Sequence, residues 1–244
     1  VVEYEEMGYL PEALVNFLAL LGWNPGTDKE IFTLAELVEE FDLDKVGKAG
    51  AIFNIEKLDW LNGYYLRRLS LDELTERIIP YLKKAGLIDD DFSAPGGPAH
   101  PRADQPRAGL GWERVKKIVA LEQPRIKKLG EIGERAAYFF KLPQYRPELL
   151  AWKDMLFKDI AVSLNVSQET ISKLEEKDFT KENLEKVFIK ESERAKGKDR
   201  GRLLWPLRAA LTGLEASPGP FEVMAILGKA ESLKRVAAAI RKLG

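Results

Sequence analysis

Helix start and stop signals recur along most of this 244-residue chain, and clear strand signals do not. Pro11 stands where a first helical turn tolerates it, seven large apolar residues lie between Leu10 and Leu21, and Gly22 ends the run. Their spread nearly all round the helix predicts a buried helix over 8–22. Thr33 with Glu36 three positions on has the form of a capping box, ahead of a short helix expected to turn Leu37, Val38 and Phe41 inward. Leu58, Leu61, Tyr65 and Leu69 predict a helix over 57–69, and Ser70 with Glu73 opens another that stops at Gly86. Only KAGAIFNI, residues 48–55, reads as a short strand. Beyond residue 110 the spacing predicts helices over 112–140, 148–164, 167–176, 180–195, 200–212 and 220–242, the last interrupted near Gly228 and with Arg235 on its polar side. The expected class is mainly α: a small region of helices with at most one short strand, then an all-α bundle.

One stretch departs from this pattern. Residues 89–110 carry APGGPAHP and two further basic, polar steps to Pro106, too much Pro and Gly for a helix or central strand, so they read as a solvated loop. His100, the chain's one histidine, lies there with no cysteine anywhere in the sequence, which excludes the usual zinc cages and any disulfide framework. A hydrophobic share of 45% excludes a wholly disordered chain. No apolar run approaches the roughly 18–20 residues of a bilayer span. No signal peptide is visible and no initiator Met is present, so the expectation is a cytoplasmic fragment of something larger.

Charge is unevenly spread. Residues 1–93 hold 9 basic and 19 acidic side chains, and residues 94–244 hold 29 and 20. Such polarity fits a polyanion drawn to one half, and equally two differently solvated surfaces. Two basic rows occupy the second part. Arg114, Lys117, Arg125 and Lys128 fall along one side of a helix over 112–140, with Val115, Ile118, Val119, Ile126 and Leu129 opposite and Pro124 as a kink or a new start. A second row over 186–208 includes Lys198, Arg200 and Arg202. Rows of this kind match phosphate spacing, which makes Arg114, Lys117, Lys128, Lys198, Arg200 and Arg202 candidate contacts to a nucleic-acid backbone.

No GxxxxGK[ST], GxGxxG, HExxH or GxSxG occurs, and the carboxylates lie on helix faces or at caps, so no catalytic or metal-binding set is nominated. Two classes remain: RNA recognition, or a helical protein-interaction module without RNA binding.

Three segments carry a resemblance. They are GYLPEALVNFLALLGWNPGTDKEIFTLAELVEEF over 8–41, IFNIEKLDWLNGYYLR over 52–67, and GRLLWPLRAALTGLEASPGPFEVMAILGKAESLKR over 201–235. In order and spacing they resemble bacterial-type glutamyl-tRNA synthetase, a class I aminoacyl-tRNA synthetase. The family's HIGH-like and KMSKS-like signatures do not occur in this sequence. The resemblance therefore implies a stem-contact region over 1–69 and two helical anticodon-binding subdomains over 70–141 and 142–244. It implies tRNA-Glu as partner, a monomer, no DNA and no membrane, and no cofactor within these residues, ATP and Mg being used by the parent enzyme. It further implies that Asn62, Gly63, Tyr64 and Arg67 face the tRNA stem, with Trp60, Leu61 and Leu66 in the core. Arg208, Ser217, Pro218 and Pro220 would surround the anticodon bases, and Arg125 would read the third of them. Pro220 replaces the larger apolar residue of some members.

Overall fold

The computed structural model describes residues 2–47, 52–93, 111–194 and 199–244, and among them the chain forms eleven α-helices. Residues 94–110, with His100, lie outside the described residues, as do Lys198 and the 48–51 half of the expected strand. The other half of that strand leads into a helix, and the only β pairing among the described residues is an isolated bridge between Trp23 and Val46. The chain divides into two compact units, 1–135 and 136–244.

The first unit contains α1 (Val2–Met7), α2 (Pro11–Gly22), α3 (Leu34–Glu40), α4 (Ile55–Leu66), α5 (Leu71–Lys84) and α6 (Trp112–Glu122). α2 packs on α4 and α3, and α5 packs on α6. Tyr9, Phe17, Leu58 and Leu61 form one apolar cluster, and Trp23, Phe32 and Leu37 another. Capping signals are realised locally. Thr33 and Glu36 bond reciprocally, Ser70 accepts from the Glu73 amide, and Asn54 caps α4 through the amides of Glu56 and Lys57. Glu36 is held down at about 2 by the Thr33 backbone amide, then by Lys29 and the Thr33 hydroxyl.

Several expectations fail for one shared reason. A helix buries the stripe that meets a neighbour, whatever its composition. α2 buries Ala13, Asn16 and Phe17, while Leu18 is 55% exposed. Val38 and Phe41 point to solvent, and so does Trp60, whereas Leu61 and Leu66 are in the core as expected. Within the stretch expected to be solvated, Phe92 is instead buried and stacks on Trp112, with ring centroids 6.4 Å apart.

The expected helix over 112–140 is broken. Val115, Ile118 and Val119 bury their face of α6, but the helix ends at Glu122. Pro124 lacks an N–H and its ring opposes the carbonyl four residues back, so a turn follows, then a 3₁₀ turn Leu129–Glu131 and α7 (Ile132–Phe140). Gly8, at φ +93°, joins α1 to α2 where the backbone of that 3₁₀ turn passes; a Cβ there would sit 2.4 Å from the Gly130 nitrogen. The Leu129 amide donates to the Gly8 carbonyl at 3.0 Å. Only glycine fits both conditions.

The second unit contains α8 (Phe157–Lys173), α9 (Lys181–Arg194), α10 (Gly201–Thr212) and α11 (Pro220–Arg241), with α8, α10 and α11 packed mutually. Two predicted helices over 148–176 are instead a 3₁₀ turn, Pro147–Leu150, and the single α8. Ser167 does not cap a new helix. Its hydroxyl donates back to the Ser163 carbonyl at 2.9 Å and the helix runs on. α11 breaks its helical geometry at Gly228, φ +80°, as the glycine predicts.

Arg235 does not lie on the polar side of α11. It is 2% exposed, and its Nη1 donates to the carbonyls of Tyr138 and Leu211, both at 2.7 Å, while Nε reaches Glu231 at 2.8 Å. One guanidinium thereby occupies carbonyls in α7 and α10 from α11. Burial opposes ionisation of Glu231, but hydrogen bonding and charge from Arg235 outweigh it and lower its pKa.

Candidate nucleic-acid interface

In the first unit the candidate residues gather where the last turn of α4 meets the turn after α6. Asn62 is fully buried. Its Oδ1 accepts from the Leu10 amide at 2.8 Å, and its Nδ2 donates to the carbonyls of Lys127 at 2.5 Å and Gly8 at 3.4 Å. Every hydrogen-bonding group of this amide is thus turned towards the chain. Gly63, also buried, leaves room for the Arg67 guanidinium, since a Cβ there would sit 3.0 Å from Nη1. Arg67 itself is exposed. Tyr64 is half-buried, with Arg68 over its ring and bonded to its hydroxyl.

The Gln123 side chain donates to the carbonyls of Leu66 at 3.0 Å and Leu69 at 3.1 Å, closing the C-terminal end of α4. The turn carrying Pro124 and Arg125 is therefore anchored before it by Gln123 and after it by the Asn62–Lys127 bond. Arg125 is exposed, and among the described residues no hydrogen bond or ion pair holds its guanidinium. Beneath it Glu122 is 1% exposed, with Oε2 3.7 Å from Arg135 and Oε1 without a hydrogen-bond partner among the described residues. Burial raises the Glu122 pKa despite the opposing charges of Arg125 and Arg135.

The basic row is not straight, because the helix stops between its members at the break that Pro124 signals. Arg114 and Lys117 lie on α6, Arg125 and Lys128 on the following turn. Lys117 is exposed, and Arg114 is half-buried and engaged within the fold. Lys128 lies 3.4 Å from Asp59 and over the Tyr9 ring, whose hydroxyl also bonds Asp59. Burial, followed by that bond to Asp59, raises the Tyr9 pKa.

In the second unit Arg208, on α10, is half-buried. Its Nη2 donates to the Glu215 carbonyl at 2.7 Å and Nη1 to that of Ser217 at 3.5 Å, tying down the loop between α10 and α11. Burial lowers the Arg208 pKa. Pro218 and Pro220 are buried, and Ser217 is half-buried with its hydroxyl on the Pro218 carbonyl. Pro220 opens α11 at its first turn, where a missing N–H costs nothing. Of the second row, Arg200 pairs with Glu193 at 3.1 Å and Arg202 with Asp154 at 2.8 Å.

A further group escaped the sequence reading. Trp152 and Trp205 approach with ring centroids 5.1 Å apart, Arg208 lies 4.3 Å over Trp205, and Lys153 lies 5.1 Å over Trp152. Its sequence signal is a cation one residue after the first Trp and three after the second. The buried roles of Asn62, Gln123 and Glu122 had no comparable signal, since each depends on a distant partner.

Among the described residues no three or more His, Cys, Asp or Glu side chains gather as a metal site. Among the described residues no helix is long and apolar enough to cross a membrane.

Comparison with known proteins bears on this surface. Residues 73–240 match the family model described as an anticodon binding domain. Residues 1–60 match the catalytic domain model of class I tRNA synthetases (E and Q). The chain is 36% identical to a glutamate–tRNA ligase of Carboxydothermus hydrogenoformans, covering 97% of this chain and 45% of the relative. It is 38% identical to one from Clostridium botulinum, covering 97% and 44%. It thus spans less than half the length of these relatives. Among solved structures, a glutamate tRNA ligase from Elizabethkingia meningosepticum in complex with its amino acid matches with a TM-score of 0.78 at 32% identity, covering 99% of this chain and 43% of that one. The glutamate–tRNA synthetase of Elizabethkingia anophelis gives 0.75 at 33% identity, covering 98% and 42%. With one family model covering well over half of the sequence and these relatives aligned along nearly all of it, the chain belongs to the anticodon-binding domain family, in the form found in glutamate–tRNA ligases.

Proposed function

We propose that this chain is the tRNA-gripping body of a glutamate–tRNA ligase, holding the stem and anticodon of tRNA-Glu. The whole enzyme would attach glutamate to that tRNA in an ATP-dependent reaction. ATP and Mg²⁺ would be bound by the catalytic domain of that enzyme, as the resemblance implies. Residues 1–69 would serve the stem, and 70–141 and 142–244 the anticodon arm, in a cytoplasmic monomer. Arg67, Tyr64, Lys117, Arg200 and Arg202 would contact tRNA directly, the last two by exchanging a carboxylate for a phosphate. Asn62 and Gly63 would act by positioning, because they are buried.

The observation that supports this reading is Arg125: an exposed guanidinium that no hydrogen bond or ion pair holds among the described residues, on a turn anchored at both ends. Its donors are therefore open to a ligand, and the anchored turn fixes where they are offered. An arginine presents five donors and no acceptor. It satisfies the O2 and N3 acceptors of a cytosine ending the anticodon and offers nothing to the N1–H and amino donors of a guanine. The unpaired guanine donors would cost roughly 1–3 kcal/mol, about one to two decades of selectivity.

The test is Arg125→Gln, measured by binding to tRNA-Glu and to a transcript with G at the last anticodon position. Base reading predicts weaker binding to the C-ending tRNA and unchanged or tighter binding to the G-ending one. Equal losses with a shallower salt slope would make Arg125 a backbone contact. Failure of the wild-type chain to retain tRNA even at low salt would favour the protein-interaction alternative, because several phosphate contacts require affinity that falls steeply with salt.

A further inference from the structure

The Trp152–Trp205 pair is neither an ordinary core contact nor one of the residues that the resemblance supplies. Both indoles are only part-buried, and their nitrogens are bonded internally: Trp152 Nε1 to Asp199 at 3.1 Å, Trp205 Nε1 to the Leu149 carbonyl at 3.0 Å. What they leave to solvent is therefore ring surface. Cations stand at both ends, Lys153 5.1 Å over Trp152 and Arg208 4.3 Å over Trp205. Each ring thus carries its own cation and leans on the other ring at an angle of 39°.

The backbone is built to hold this arrangement. Lys153 has φ +52°, a left-handed conformation that glycine or asparagine would adopt more cheaply, and it is the only non-glycine in that region among the described residues. From there its ammonium reaches Asp199 at 3.0 Å. Asp199 in turn fixes the Trp152 nitrogen and accepts the Gly201 amide, which begins α10. Gly201 has no side chain where a Cβ would sit 2.4 Å from the Trp152 ring. Hydrogen bonding from Lys153, then from Trp152, lowers the Asp199 pKa, so both anchors act on a carboxylate. A strained residue, a glycine cut-out and a shared carboxylate all set the angle of one half-exposed indole.

We propose that Trp152 and Trp205 form a stacking platform for an unpaired RNA base, next to the loop that Arg208 braces through Glu215 and Ser217. The platform rests on the tRNA-binding reading above and extends it to a nucleotide that is held by its ring face. Every base has such a face, so the platform adds affinity for a splayed loop without selecting its sequence. Lys153 gives up the Trp152 ring to the incoming base and turns to the adjoining phosphate, and Arg208 keeps the far end of the stack closed.

The experiment uses the full chain and an RNA hairpin of the tRNA-Glu anticodon arm with 2-aminopurine at each unpaired loop position in turn. At saturating protein, one or more positions should be quenched, and Trp152→Leu should remove that quenching and weaken binding about five- to 150-fold, the loss expected for one stacked base. Trp205→Phe keeps a ring while giving up the bond to Leu149, so it should retain most of the quenching even if it melts earlier. An abasic substitution at the quenched position should abolish the difference between wild type and Trp152→Leu. The platform is overturned if the wild type binds the hairpin with no loop position quenched. It is also overturned if Trp152→Leu binds within twofold of wild type; in both cases tRNA binding itself stands. If neither hairpin nor whole tRNA binds the wild type, the functional reading fails and the platform with it.

Discussion

The side-chain amide of Asn62 donates to the main-chain carbonyl of Lys127, 65 residues away and two positions past Arg125. A residue within the WLNGYYLR stretch thus sets the exit of the turn that displays the proposed base-reading arginine. The two surfaces are not independent. Disturbing α4 at Asn62 is therefore expected to move Arg125.

Asn62→Ala is expected to unpair the Leu10 amide and the Lys127 carbonyl together, while the Gly8 carbonyl keeps its bond from the Leu129 amide. Each buried group left without a partner costs about 1–3 kcal/mol, partly relieved by rearrangement. The first unit should lose roughly 2–4 kcal/mol in chemical denaturation, as a buried polar network breaks. Asn62→Asp should cost more, because an oxygen replaces the donor that faces two carbonyls. A variant that melts like wild type and binds tRNA normally would break the proposed link.

Acidification should act oppositely on the two units. Glu122 has a raised pKa in the fold, so its charged form is penalised when folded, and that penalty disappears as pH falls through the raised value towards the ordinary 4.5. Glu122→Gln should therefore stabilise the first unit at pH 7 and lose that advantage below about pH 4.5. Glu231 has a lowered pKa, so its contribution is present above 4.5 and is lost as pH falls through the lowered value. Hydrogen exchange of α6 and α11 amides across pH reads both. A first unit destabilised at neutral pH by Glu122→Gln would contradict the assignment.

Arg235→Met should be among the most damaging single changes in the second unit. It leaves the Tyr138 and Leu211 carbonyls without the Arg235 donor, at about 1–3 kcal/mol for each buried group left unpaired, while the part-exposed Glu231 keeps Lys234 at 3.5 Å. Arg235→Lys should recover only part, because one ammonium cannot span three acceptors held in a planar fork. Equal urea midpoints for the Met and Lys variants would show that shape, and not hydrogen bonding, matters there.

The chain on its own should give pyrophosphate exchange with glutamate, ATP and tRNA at background level. Neither a phosphate-cradling glycine loop nor the family's two nucleotide-binding signatures occurs among its 244 residues. A robust rate from pure protein would refute the division of labour proposed here.

Local signals determined the elements that need only neighbours in the chain. The capping box of Thr33 and Glu36, the cap at Ser70, the break at Pro124 and the kink at Gly228 are each settled within a few residues, where backbone donors and allowed φ leave few choices. The buried face of α6 was legible for the same reason, as apolar residues at helical spacing. What tertiary structure decided is the use of polar and aromatic groups that pattern alone assigns to solvent. Arg235 reads as a surface cation until carbonyls 97 and 24 residues away accept its protons. Asn62 reads as a ligand-facing amide until three distant backbone groups take up its bonds, and Trp152 finds Trp205 only when α10 is in place. A long polar side chain carries its charge or its hydrogen bonds in either setting. Which setting it occupies depends on the chain segment that arrives beside it, and periodicity holds no record of that encounter.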